Sequence, residues 1–136
     1  MKSITLTLAI VLFLAFFSNH KTLAQSKTED EFQMKQYFMV FLTRGLNRTQ
    51  DSATAAKIQE GHLNNITRLF NEKKLILAGP FLDDGIYRGI FIFDIPTIEE
   101  VTQLLLTDPA IHSGRLGYEI HPWYGPGNIS IGRKPE

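Results

Sequence analysis

Two hydrophobic periods take turns along the chain from residue 35 onward. Lys35 to Thr43 (KQYFMVFLT) is dense in aromatic and aliphatic residues and predicts a strand. Arg44 to Ser52 is a polar loop in which Asp51 or Ser52 can cap a helix. Ala55, Ile58, His62, Ile66 and Leu69 then recur at steps of three and four, which predicts an amphipathic helix over Ala53 to Lys73. Leu75 to Ala78 is a short strand stopped by Gly79-Pro80, and Asp83-Asp84-Gly85 is a turn. Ile86 to Ile95 (IYRGIFIFDI) predicts the second long strand. A second helical stripe, Ile98, Val101, Leu105 and Asp108, opens after Pro96-Thr97, runs to about Thr107 and ends at Asp108-Pro109. Leu116 to Tyr124 is the last strand, and the glycine- and proline-rich tail from Gly125 is expected to be irregular. The order βαββαβ defines an α+β, ferredoxin-like fold: a four-stranded antiparallel sheet with two helices on one face.

The strands carry a further deduction. Tyr37, Met39 and Phe41 alternate with Phe38, Val40 and Leu42. Tyr87, Gly89, Phe91 and Phe93 alternate with Arg88, Ile90, Ile92 and Asp94. Both faces are apolar, whereas a sheet with one wetted face should alternate apolar with polar. Two helices cover one face only. The simplest cover for the other is a second copy of the chain, sheet against sheet, so a homodimer is expected.

The N-terminal segment changes the picture. Lys2 precedes a mostly apolar run from Ile4 to Phe17, and a polar stretch ends in Thr22-Leu23-Ala24. That is the layout of a signal peptide over 1–24. The run is too short for the ~20 residues that cross a bilayer as a helix, which ranks an uncleaved anchor second. An exported chain, periplasmic or secreted from a bacterium, with no membrane attachment after cleavage, is expected. Residues 25–34 (QSKTEDEFQM) form a flexible lead-in, 35–125 the folded domain and 126–136 the tail. Absence of cysteine excludes disulfides and a cysteine-borne lipid anchor. Losing Lys2 and Lys21 from 14 basic residues leaves 12 against 14 acids, a formal charge of −2. With no basic run, nucleic-acid binding has no electrostatic basis. Three Asn-x-Ser/Thr triplets, at Asn47, Asn65 and Asn128, carry no weight in a bacterial chain.

Candidate chemistry starts at His62, an ionisable ring on an apolar helix face. A buried imidazole needs a partner, because burying an unpaired polar group is costly. Asp108 stands at the equivalent place on the second stripe. The ordinary alternatives are a packed core histidine and an Asp108 that merely caps a turn through Ile111, with Pro109 at its first position. Capping and pairing are compatible, since a carboxylate has several acceptor sites. His112 and His121 lack the spacing of a metal site, and no metal or other cofactor is expected. Arg44, closing the first strand, is a candidate for an anionic substrate, against the alternative of a solvated surface arginine. Phe81 and Trp123 are candidates to wall an apolar pocket, against roles in the core or a dimer interface.

His62 in its helix, Leu77-Ala78-Gly79-Pro80, Gly89 in a strand, Asp108-Pro109 and Pro122-Trp123, in this order, resemble the YCII-related (YciI-like) family over about residues 35–125. The resemblance implies a dimeric α/β barrel built from ferredoxin-like protomers. It also implies a His–Asp pair, at His62 and Asp108, proposed in that family as an active site. Some relatives act as lyase-like or dehydrochlorinating enzymes on substituted aromatic or quinoid compounds, and muconolactone isomerases share the wider fold. The expected function is cofactor-independent proton transfer, of lyase or isomerase type, on a small aromatic or lactone-like molecule. The alternatives are a non-catalytic dimeric module that binds or senses a small ligand and, behind it, histidine-held haem.

Overall fold

The computed structural model describes residues 33–129. The signal segment, the lead-in up to residue 32 and the tail from residue 130 lie outside the described residues. Strand β1 (Met34–Arg44) is followed by helix α1 (Ser52–Asn71), strands β2 (Leu75–Pro80) and β3 (Tyr87–Phe93), helix α2 (Ile98–Leu106), the short helix α3 (Pro109–His112) and strand β4 (Leu116–Pro126). The sheet has the order β2-β3-β1-β4, antiparallel throughout, with both long helices on one face. This is the expected α+β ferredoxin-like architecture.

Several boundaries differ from the sequence reading for local reasons. Strand β4 runs two residues past Tyr124, because Gly125 and Pro126 pair with Lys35 and Met34. Gly79-Pro80 continues β2 instead of stopping it: β2 is an edge strand, where proline has no ladder bond to lose. Asp108-Pro109 ends α2 and also starts α3, with Asp108 as N-cap and Pro109 at the first position. On α2 the buried stripe is Val101, Leu104 and Leu105, and Ile98 is exposed.

Each helix is closed by its own chemistry. The Asp51 carboxylate accepts from the Thr54 backbone N–H at the start of α1, and Thr97 does the same for Glu100 at the start of α2. At the end of α1, Lys74 N–H donates to Leu69 O and Lys73 N–H to Phe70 O. This is a Schellman closure with Lys73 at φ 59°, in the left-handed region that usually takes glycine.

The core lies between helices and sheet. Phe38, Val40, Leu42, Phe91 and Phe93 point from the central strands into it and meet Leu69, Val101 and Leu105. The opposite face carries Tyr37, Met39, Phe41, Leu77, Ile90, Ile92 and Trp123, by the strand register. No described helix covers it. The Trp123 indole lies along β4 over Gly125, where any Cβ would collide with the ring. It packs beside Tyr37, with ring centroids 5.8 Å apart.

One irregularity matters for the site. Pairing between β1 and β3 shifts from Leu42↔Gly89 to Thr43↔Tyr87, so Arg88 is the extra residue of a bulge. A bulge re-aims its side chain. Strict alternation puts Arg88 on the outer face with Ile90 and Ile92, but it lines the helix-side cavity together with Gly89.

Candidate active site

The arrangement is built where α1, α3 and the sheet converge. His62 sits on the buried face of α1, one turn from Ile58 and Ile66, and is 8% exposed. Asp108 is fully buried between α2 and α3. Their approach depends on Gly61: a Cβ there would stand 2.8 Å from the Pro109 ring, so only glycine lets α1 and α3 pack this closely.

His62 Nδ1 and Asp108 Oδ2 are 2.8 Å apart. Asp108 Oδ1 accepts from Ala110 N–H at 2.8 Å, the capping bond of α3. Oδ2 also accepts from Asn65 Nδ2 at 3.3 Å, and Asn65 in turn accepts from the Arg68 guanidinium at 2.7 Å. Both carboxylate oxygens are therefore engaged by fixed donors, and the aspartate can neither rotate nor turn to solvent. An acceptor at Nδ1 places the ring proton there in the neutral imidazole, leaving Nε2 as the bare nitrogen. Among the described residues Nε2 has no hydrogen-bond partner, yet no buried side-chain nitrogen or oxygen is left unpaired. Nε2 thus opens on the cavity that His62 lines. The ring stacks on Phe91, tilted 22° with centroids 6.0 Å apart, which fixes its plane.

The cavity holds about 420 Å³, the size of a small aromatic molecule and its surroundings. Ile58, Leu63, Ile66 and Phe91 give it an apolar wall, and Gly89 lies in the lining where the β2 backbone comes too close for a side chain, its would-be Cβ 2.5 Å from Gly79 O. Its charged lining is Arg48, Arg88 and Arg115.

The other residues singled out in the sequence lie elsewhere. Arg44 is not in the cavity lining; its guanidinium pairs with Asp84. Phe81 follows β2 and is 39% exposed, outside the cavity. Trp123 is on the outer face of the sheet, beside Tyr37. His112 is exposed on α3, and His121 stands on the outer face against the Phe41 ring. Sequence reasoning missed Asn65 and the cavity arginines Arg48, Arg88 and Arg115. For Asn65 alone there was a signal: it lies three positions after His62, on the same helix face.

No protein-family model matches the chain, and no curated protein matches its sequence. Solved structures do share its fold. One is 5-chloro-2-hydroxyhydroquinone dehydrochlorinase from Burkholderia phenoliruptrix AC1100, determined in complex with 2,5-dihydroxybenzoquinone. It is 18% identical, with 64% of this chain and 92% of that chain covered at a TM-score of 0.50. Another is muconolactone isomerase, 19% identical, covering 72% of this chain and 99% of that chain at a TM-score of 0.54.

Proposed function

We propose that the chain is a YciI-like enzyme that moves protons on a small aromatic, quinoid or lactone-like molecule, with His62 as the base and Asp108 as the group that orients it. The observation that carries this reading is the buried 2.8 Å contact between His62 Nδ1 and Asp108, with His62 lining a cavity that has both an apolar wall and a charged one. Nε2 takes a proton from a carbon next to a carbonyl, and the C–H electron pair moves onto the carbonyl oxygen as an enolate. Return of the proton to a different carbon isomerises the molecule. Expulsion of a leaving group with its bonding electrons completes an elimination instead. Both outcomes suit a His–Asp pair without a nucleophile and without a redox partner. The similar folds of a dehydrochlorinase and a lactone isomerase support the same reaction types.

The proposal includes a homodimer formed through the uncovered sheet face, and export by the 1–24 segment to the periplasm or the medium. The test of the chemistry is a screen of lactones and halogenated or hydroxylated quinoid aromatics for turnover or for exchange of substrate C–H with deuterated water. Activity should fall about 10²–10⁴-fold in His62→Ala with the fold retained. Exchange that survives in His62→Ala removes the histidine from the mechanism.

A further inference from the structure

The charge in the cavity is one-sided. Three arginines line it, Arg48 from the β1–α1 loop, Arg88 from the β3 bulge and Arg115 from the turn just before β4, and no aspartate or glutamate does. Arg88 is neutralised in part by Asp84, which also pairs with Arg44. Arg48 and Arg115 have no carboxylate partner among the described residues. Arg48 donates to the Arg115 carbonyl at 3.2 Å, and Arg115 donates to the Gln50 side-chain carbonyl at 2.8 Å. Those bonds hold the two side chains in place without cancelling their charge. The cost of the crowding is visible: partial desolvation, then the guanidiniums of Arg115, Arg44 and Arg88, push the Arg48 pKa down, and Asp84 only partly opposes this. Arg48 remains charged at neutral pH, so this end of the cavity keeps its positive charge.

We propose that Arg48 and Arg115, flanked by Arg88, form an anion subsite in the His62 cavity that takes a carboxylate of the substrate. Planar guanidiniums with several donors suit a carboxylate, which they can grip through both oxygens. The apolar wall of Ile58, Ile66 and Phe91 takes the ring or lactone body. His62 lines the same cavity and so shares it with whatever the arginines hold. The substrate class narrows accordingly to an aromatic or lactone acid. The subsite deepens the proton-transfer reading above, but its binding function is measurable without it.

The probes are 2,5-dihydroxybenzoate and 2,5-dihydroxybenzamide, which match in shape and differ in charge. Calorimetric titration of the full chain should show the carboxylate binding at least about tenfold tighter than the amide, with the difference shrinking as salt rises. Arg48→Gln or Arg115→Gln should weaken the carboxylate about tenfold and leave the amide within about twofold. His62→Gln should preserve the discrimination. Equal affinity for the two probes, no binding of either at millimolar concentration, or a carboxylate indifferent to both arginine substitutions overturns the subsite. Discrimination that holds while no lactone or quinoid acid is turned over keeps the subsite and removes the proton-transfer reading.

Discussion

Asp108 is the residue on which most depends. It accepts from His62, Ala110 and Asn65 while fully buried, so removing its carboxylate orphans several donors at once. Each buried orphan costs about 1–3 kcal/mol. Asp108→Ala is therefore expected to lose about 3–5 kcal/mol in denaturant unfolding. Asp108→Asn should cost less, because its amide oxygen still accepts. His62 and Asp108 were legible in the sequence because each interrupts an apolar helix stripe. Asn65 is less legible, because it flanks that stripe without belonging to it and a polar residue there reads as solvated, whereas the packing of α1 against Asp108 buries it. Arg48 and Arg115 could not be read as a pair: they are loop and turn residues far apart in the chain, brought together only by the return of β4. Arg88 was misplaced for a different reason, since alternation within a strand cannot reveal a bulge.

At the scale of single elements, helix α1 carries the site and its two ends can be tuned. The Asp51 carboxyl is held below the ordinary carboxylate value, first by the Thr54 backbone N–H and then by the Thr54 hydroxyl. A carboxylate depressed in the folded state stabilises it above the unfolded pKa and loses that contribution as pH falls through the lower folded value. Asp51→Ala should thus melt below wild type at neutral pH, and the gap should close as the pH drops beneath 3.8 and onward through the folded value. A constant gap across that range removes the charged cap from the explanation. At the other end, Lys73 adopts a left-handed conformation at a cost that glycine avoids. Lys73→Gly should raise unfolding stability by about 1 kcal/mol. Gly61 is the opposite case. Alanine is favoured there by about 1 kcal/mol in helix propensity, but its Cβ would drive Pro109 away. Gly61→Ala is expected to reduce turnover more than stability, because Asp108 is bonded next to Pro109 and moves with it. The element order was readable from hydrophobic period alone, and the missed ends, at Gly79-Pro80 and Gly125-Pro126, are places where sheet pairing overrides residues that usually stop a strand.

For the molecule as a whole, the unresolved balance is the outer face of the sheet. Phe41, Ile90 and Trp123 stand half-buried on it around the buried Tyr37 and Ile92, and no described helix covers it. The two-faced strand pattern is what raises the question, since neither face of β1 alternates with polar residues. If a second copy covers the face, sedimentation velocity at micromolar concentration gives twice the chain mass, and Ile90→Asp, which buries a charge at that contact, gives the single-chain mass. A wild-type monomer contradicts the dimer and requires another cover. The helix-side cavity is independent of that outcome, because every group that forms the His62–Asp108 pair comes from one chain.

The most direct test of the central claim is two-bond ¹H–¹⁵N correlation NMR of the histidine rings in residues 25–136, wild type and Asp108→Asn, assigned through His62→Gln. The expected result, at a pH where the ring is neutral, is a proton on Nδ1 and a bare Nε2, and a loss of that preference in Asp108→Asn. A proton on Nε2 in the wild type, or a His62 pattern that Asp108→Asn leaves unchanged, contradicts a dyad poised to take a proton from a molecule in the cavity.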